Sequence, residues 1–373
     1  MSRLWERVRN KLDRTLDPVY RRIPAVHRLR HRLAYLKHEQ MQKLRDQWYS
    51  QANLEAINRL SERRFDEYAC QSALMAPVPL QWPHIDVSVV TYNSTAWVEA
   101  FFTSLRQQNY PLEAISLYFV DHGSNDDTVE KLQQLRTQYS ASFASVEVIE
   151  QSNLGFGAGH DRAIRQGTGT YCLVTNIDIE FLADSLTHVV RTALSDTQQQ
   201  VASWELRQIP YEHPKYYDPV TLECNWSSHA CILLRRQAYE RVGGYADRIF
   251  MYCEDVELSY RFRSYGYVLK YVPRAAVCHY TYESAGQVKP LQYSGSLVGN
   301  MYVRLRYGSW RDRWVGWLLY RSICARPEPF EGAARALAQG QKELKQNWRH
   351  FRQGKGPDPK ALFPFYGLDY DYH

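Results

Sequence analysis

No run of about 18 apolar residues occurs anywhere in the 373-residue sequence, so nothing in it reads as a membrane-spanning helix. There is no CxxC pair either. The seven cysteines, Cys70, Cys172, Cys224, Cys231, Cys253, Cys278 and Cys324, follow no regular spacing, which argues against a zinc site and a disulfide framework and for a reducing compartment. The first residues are too charged for a signal peptide, so a cytoplasmic location is expected. Internal repeats and low-complexity tracts are lacking. So is a glycine-rich, basic loop after the first apolar strand, where a nucleotidyltransferase or a dinucleotide-binding fold would need one.

What is present is a globular composition, 45% hydrophobic and 23% charged, with 28 Tyr and 10 Trp. The net charge of +6 is local: residues 1–50 hold 13 Lys/Arg against 5 Asp/Glu, and the remainder is slightly acidic. Leu4, Trp5, Val8, Leu12 and Leu16 recur at helical spacing among Arg3, Arg7, Arg9, Lys11 and Arg14. Such a basic amphipathic helix suits an anionic membrane surface or a partner protein of an assembly, or packs on its own chain; nucleic acid is not expected as a partner. Pro77, Pro79 and Pro83 then form a breaker-rich linker. The expected domains are a basic helical extension with its linker at 1–82, a catalytic domain at 83–290 and a helical subdomain at 291–373.

Within the central region, strands are predicted at 86–90, 115–120, 146–150 and 171–175, and helices at 95–107, 125–138, 158–167 and 184–195. This alternation implies an α/β fold with a mainly parallel sheet between helices, whose ligands gather at the carboxyl ends of the strands.

Those ends are polar. Thr91, Tyr92 and Asn93 close the first strand, and Asp121 closes the second, followed by His122, Gly123 and Ser124. Asp121 could accept the N3 proton of a uracil or thymine ring, or serve as a turn carboxylate capping the next helix. The third strand leads into Asn153, Leu154, Gly155 and a small-residue run to Gly159, which suits either a diphosphate at a helix start or tight helix–strand packing. The fourth delivers Asn176, Asp178 and Glu180, which point the same way in an extended segment and suit Mg²⁺ or Mn²⁺. Glu254 and Asp255 open a helix whose dipole favours an ionised carboxylate, the state a general base needs. His279 ends a later strand and could bind metal or phosphate, or merely hold a backbone carbonyl.

Taken in order, Val89-Val90-Thr91-Tyr92-Asn93, Val120-Asp121-His122-Gly123-Ser124, Asn153-Leu154-Gly155, Asn176-Ile177-Asp178, Arg235-Arg236 through Gly243-Gly244-Tyr245, Glu254-Asp255-Val256-Glu257-Leu258 and His279 resemble family-2 glycosyltransferases, more narrowly a bacterial rhamnosyltransferase-like branch. The resemblance spans about residues 85 to 307. It implies a GT-A fold, an inverting transfer from a UDP- or dTDP-sugar to a hydroxyl of a glycan or lipid-linked glycan in surface polysaccharide synthesis, and a divalent metal. It also implies roles: Thr91 and Asp121 at the base, with Tyr92, Asn93, Ser124, Asn153, Gly155 and Asn176 lining the substrate, Asp178 and His279 at the metal, Glu254 beside the catalytic base Asp255. Two departures stand out. Asn176 replaces the first aspartate of the usual DxD motif, and Ser228-His229-Ala230 stands where a Gly-Ala pair is common, which would bring His229 into the acceptor pocket or leave it filling space. The competing reading is a catalytically idle scaffold that binds a nucleotide sugar or glycan.

Overall fold

A computed structural model describes residues 75–210, 217–218, 220–280, 289–325 and 330–353. The chain divides into two units, Met1–Ser72 and Ala73–His373, and the described residues lie in the second. The basic amphipathic segment expected at 1–35 therefore lies outside the described residues.

The second unit runs β1 (Ile85–Thr91), α1 (Val98–Arg106), β2 (Ile115–Asp121), α2 (Thr128–Tyr139), β3 (Ser145–Glu150), α3 (Phe156–Ile164), β4 (Tyr171–Asn176), β5 (Ile179–Phe181), α4 (Ser185–Leu194), β6 (Val201–Ile209), β7 (Glu223–Cys224), β8 (Cys231–Arg235), α5 (Arg236–Val242), α6 (Glu254–Ser264), β9 (Val268–His279), α7 (Pro290–Tyr307), α8 (Trp310–Cys324) and α9 (Ala333–Gln353). One sheet holds them in the order β3-β2-β1-β4-β8-β6-β9-β5, with β7 on β9.

The four strands read from the alternating pattern are parallel, in the order β3-β2-β1-β4. Beyond them the sheet is mixed rather than mainly parallel: β8 runs antiparallel to both β4 and β6, and β9 is parallel to β6 but antiparallel to β5 and β7. Helices still separate some of these strands, but with β8 antiparallel to both its neighbours the helix–strand order no longer gives the pairing.

The strands are apolar because both faces are covered. Val87, Val89 and Leu117 pack with Phe101, Phe102 and Leu105 of α1 and with Leu186 and Val190 of α4. On the other face Cys172, Val174, Ile232 and Leu234 pack against Tyr239 of α5 and Leu258 and Phe262 of α6. The last three helices build a core of their own around Leu297, Met301, Tyr302, Tyr320, Leu344 and Phe351. Gly295 and Gly299 of α7 press on residues 251–253, so tightly that a Cβ at 299 would lie 2.1 Å from that of Cys253. Helix α7 thus abuts the turn that launches α6.

Candidate active site

Register places the polar strand ends side by side. Thr91 pairs with Asp121, and Val90, its neighbour in β1, pairs with Asn176. Asp121 is fully buried. Its Oδ2 accepts from Thr91 Oγ1 at 2.9 Å and Ser124 Oγ at 2.5 Å, and its Oδ1 accepts from the amides of Gly123 and Ser124 at 2.9 and 2.8 Å. Four donors fill the carboxylate's usual acceptor sites, so a base N–H would have to replace one of the two hydroxyls, which rotate freely enough to yield. Asp121 thus closes the turn after β2 but does not cap the next helix: α2 starts at Thr128, whose amide donates to Asp126 Oδ1. Asn93, with φ of 49°, donates its amide to Ser124 Oγ at 2.8 Å and accepts from the Asn125 amide at 2.8 Å, lacing the first two loops together. Tyr92 stands out from this cradle, 52% exposed, as a flat face for a ring to stack on.

Asn153 Oδ1 accepts from the Gly155 amide at 3.1 Å, and the Phe156 amide donates to the Phe250 carbonyl at 2.9 Å. The N-cap amide and the first amide of α3 are therefore spent inside the protein. At Gly155, φ is 99° and a Cβ would fall 2.2 Å from the Phe250 oxygen; at Gly157 and Gly159 it would meet Tyr245 and Val90. Of the two explanations for this small-residue run, packing accounts for all three glycines. Arg235 and Arg236 sit at the other edge, because β8 runs backwards and Arg235 pairs with Tyr171 at the start of β4. There they bind Asp196 and Asp86 at 2.8 and 2.5 Å. They hold the fold, far from the strand ends.

At the end of β4, Asn176 and Asp178 meet His279. Asn176 Nδ2 lies 3.2 Å and Asp178 Oδ1 3.4 Å from His279 Nε2. The other ring nitrogen, Nδ1, lies 2.8 Å from Gln208 Oε1, which can only accept, so Nδ1 carries a proton and Nε2 is the nitrogen turned towards Asp178. A ring nitrogen facing a carboxylate is served by a proton or by a cation. An imidazole oriented from behind by an amide oxygen, beside a carboxylate, is a donor set that fits Mn²⁺ or Mg²⁺. Among the described residues no cluster of three His, Cys, Asp or Glu completes a cage, so a cation here would take its remaining ligands from water or substrate oxygens.

Gln208 is the residue that sequence reading missed. It comes into line because β9 bulges over Pro273, Arg274 and Ala275, shifting its register between Leu206/Val272 and Arg207/Ala276 and setting Gln208 opposite Val277. Only the bulge proline hinted at this.

His229 is almost fully buried and its Nδ1 lies 2.5 Å from Tyr245 Oη. It fills space between β8 and the Tyr245 loop instead of facing solvent. The neighbouring Ala230 carbonyl accepts from the Asn176 amide at 2.8 Å, which ties this segment to the metal-candidate strand end.

Tyr245 in turn lies within electrostatic reach of the Glu254 and Asp255 carboxyls, so it links the strand end to the start of α6. That start is sharply turned, with Tyr252 and Cys253 at φ of 67° and 79°. Asp255 is partly exposed, and its Oδ1 accepts from the Val256 amide at 2.8 Å. Glu254 is buried, its Oε2 has no hydrogen-bond partner, and burial followed by the charge of Asp255 pushes its carboxyl well above the usual range. Burial thus favours the proton-holding form of Glu254, next to an Asp255 that still reaches solvent. Because folded Glu254 keeps its proton to higher pH than the unfolded chain does, wild-type stability falls as pH rises through that interval. Glu254→Gln should therefore gain stability relative to wild type as pH rises above the ordinary glutamate range. Paired melting curves across this range check it, and parallel curves would remove the shifted carboxyl.

Residues 86–256 match the family model described as glycosyl transferase family 2. The chain is 25% identical over 291 residues to the N-acetylglucosaminyl-diphospho-decaprenol L-rhamnosyltransferase of Mycobacterium tuberculosis (strain ATCC 25618 / H37Rv), covering 65% of this chain and 91% of that protein. It is 25% identical over 185 residues to the rhamnosyltransferase WbbL of Escherichia coli (strain K12), covering 40% and 69%. Among solved structures it is similar to the mannosyltransferase PcManGT from Pyrobaculum calidifontis in complex with GDP-Man and Mn²⁺, with a TM-score of 0.53 and 18% identity over 78% of this chain and 90% of that one. GalNAc-T7 with UDP, GalNAc and Mn²⁺ gives 0.53 and 13% over 75% and 59%. At these identities the structural likeness shows the shared fold.

Proposed function

We propose that this chain, which carries a glycosyl transferase family 2 domain over residues 86–256 on a GT-A fold, moves a deoxyhexosyl or hexosyl group from a UDP- or dTDP-sugar to a hydroxyl of a lipid-linked glycan, with inversion at the anomeric carbon. The observation that carries the reading is the partly exposed Asp255 beside a buried, proton-holding Glu254, reached from the Asn176–Asp178–His279 strand end through Ala230, His229 and Tyr245. The rhamnosyltransferase relatives, one acting on a decaprenol-linked acceptor, support the sugar and acceptor class.

In this reading the donor's pyrimidine lies on Tyr92, its N3–H donating to Asp121 in place of a Thr91 or Ser124 hydroxyl. Asn93 and Ser124 hold the loop that carries it, and the Asn153–Gly155 turn forms a wall. Asp178 and His279 would hold a divalent cation, with Asn176 alongside; when bound, the cation offsets negative charge on the diphosphate. Asp255 takes the proton of the acceptor hydroxyl. That oxygen bonds to the anomeric carbon from the face opposite the diphosphate, and the bond to the diphosphate oxygen breaks with its electron pair leaving on the nucleotide. Glu254, neutral, adds no second negative charge against the nucleophile. Peripheral attachment at the inner membrane face through the basic segment at 1–35 would bring the enzyme to such an acceptor.

A panel of nucleotide sugars tested for thermal stabilisation, with and without Mn²⁺, checks this directly. A pyrimidine diphosphate sugar at about 100 times its Kd should stabilise the fold by ~2.7 kcal/mol. Stabilisation without product on any glycan acceptor favours the scaffold reading that Asn176 keeps open, and no stabilisation by any pyrimidine donor overturns the proposal.

A further inference from the structure

Helix α8 turns an unusual face outward. Trp310, Trp314 and Trp317 are 71%, 59% and 36% exposed, and Arg321 and Cys324 continue the same line at helical spacing. This is not a core face left uncovered by a slipped helix. The opposite side is packed: Tyr320 and Ile323 are buried in the terminal core, and a Cβ on Gly316 would lie 2.4 Å from Arg304 Cδ and 2.9 Å from Met301 Sδ of α7. The helix start is pinned as well, by a capping box in which Ser309 and Asp312 exchange bonds. The rotation of α8 is therefore set by its inner face, and the tryptophans are held outward.

The flanking charge is mostly basic, with Asp312 of the helix cap as the acidic residue of α8. Arg311 stacks its guanidinium over the Trp310 ring at 5.4 Å, and Arg321 ends the stripe. Across 289–325 and 330–353 there are 11 Lys/Arg against 3 Asp/Glu. That surplus disfavours two candidate occupants, a second copy of this subdomain and the basic segment at 1–50, since each would bring like charge to the contact. It favours an anionic surface. Indole rings have an apolar body and an N–H donor, the combination that settles at the headgroup level of a bilayer, and neighbouring arginines add attraction to anionic lipid.

We infer that the Trp310–Trp314–Trp317 face of α8, with Arg311 and Arg321, is a docking surface for an anionic phospholipid bilayer. The surface is two helices from the candidate base. Helix α8 packs on α7, and α7 packs on residues 251–253 ahead of Asp255. Seated there, the membrane would lie against the subdomain that buttresses α6. The inference stands apart from the sugar chemistry, because vesicle binding is read without donor or acceptor.

The test is co-flotation of the full chain with vesicles of phosphatidylglycerol and phosphatidylcholine, and with phosphatidylcholine alone. Wild type should float with the anionic vesicles and at least ten-fold less with the neutral ones. The double variant Trp310→Ser/Trp314→Ser should lose at least ten-fold in apparent affinity at an unchanged melting temperature, whereas Trp310→Phe/Trp314→Phe should stay within about three-fold, since a ring still enters the interface. Acyl-brominated lipid should quench wild-type tryptophan fluorescence, and less so in the serine variant. Absence of wild-type binding, or serine-variant binding within three-fold of wild type, overturns the proposal; the second result would assign attachment to another part of the chain.

Discussion

Asp255→Asn will cut the rate of sugar transfer by about 10²–10⁴-fold, the usual contribution of a positioned general base. The variant is nearly isosteric, and the bond from the Val256 amide to Oδ1 can persist with an amide oxygen, so α6 keeps its start. Donor binding should survive, because the candidate base- and metal-binding groups lie on other strands. The expected pattern is thus a fall in kcat with donor-induced thermal stabilisation retained, together with loss of the acidic limb of the pH–rate profile. A variant that transfers sugar within three-fold of wild type would mean that Asp255 takes no proton in the reaction. Glu254 would not substitute: burial and its neighbour's charge hold its proton on well above the usual carboxylate range.

The second large effect concerns Glu257, two residues further along the same helix. It has no exposed surface, yet its Oε1 accepts from Arg306 Nη1 at 2.5 Å and Tyr307 Oη at 2.8 Å, and its Oε2 from Arg261 Nη2 at 2.6 Å. Burial alone would raise this carboxyl; the charges of Arg261 and Arg306 outweigh it and hold the pKa below the usual value. The sign follows: the stabilisation is present above the unfolded glutamate value and is lost as pH falls through the depressed one. Because Arg306 belongs to α7, this cluster fastens the helical subdomain to the helix that carries Asp255. Arg306→Met leaves Glu257 with half its counter-charge and should cost about 3–5 kcal/mol. The melting temperature should drop by on the order of 10 °C. Glu257→Gln/Arg306→Met should recover part of this, since neither partner is then a stranded charge. A single variant melting within 1 °C of wild type would show that the cluster holds nothing together.

These two residues show what can be read along a chain. The place of Asp255 in the first turn of α6 was legible because helix-start acidity is a local pattern. Glu257, in the same motif, gave no sign of its role, since its partners Arg306 and Tyr307 lie some 50 residues away and arrive only when α7 docks. The glycines after Asn153 were legible as a demand for small residues but not as to what pressed on them. The Phe250 carbonyl and the Tyr245 ring do so, both from far along the chain. His229 was placed between pocket and filler, and its bond to Tyr245 puts it inside the packing.

What the sequence alone determined was the parallel half of the sheet, with each strand end within a residue or two, and the polar residues at those ends. Period-two and period-3.6 patterns are properties of neighbouring residues, and parallel strands joined by crossover helices convert them directly into a common carboxyl edge. Tertiary structure decided the antiparallel half, the bulge that sets Gln208 behind His279, and the pinning of α6 by a buried ion cluster. Each depends on register between segments distant in sequence, where one residue's shift reverses which face a side chain meets, and nothing local records that choice.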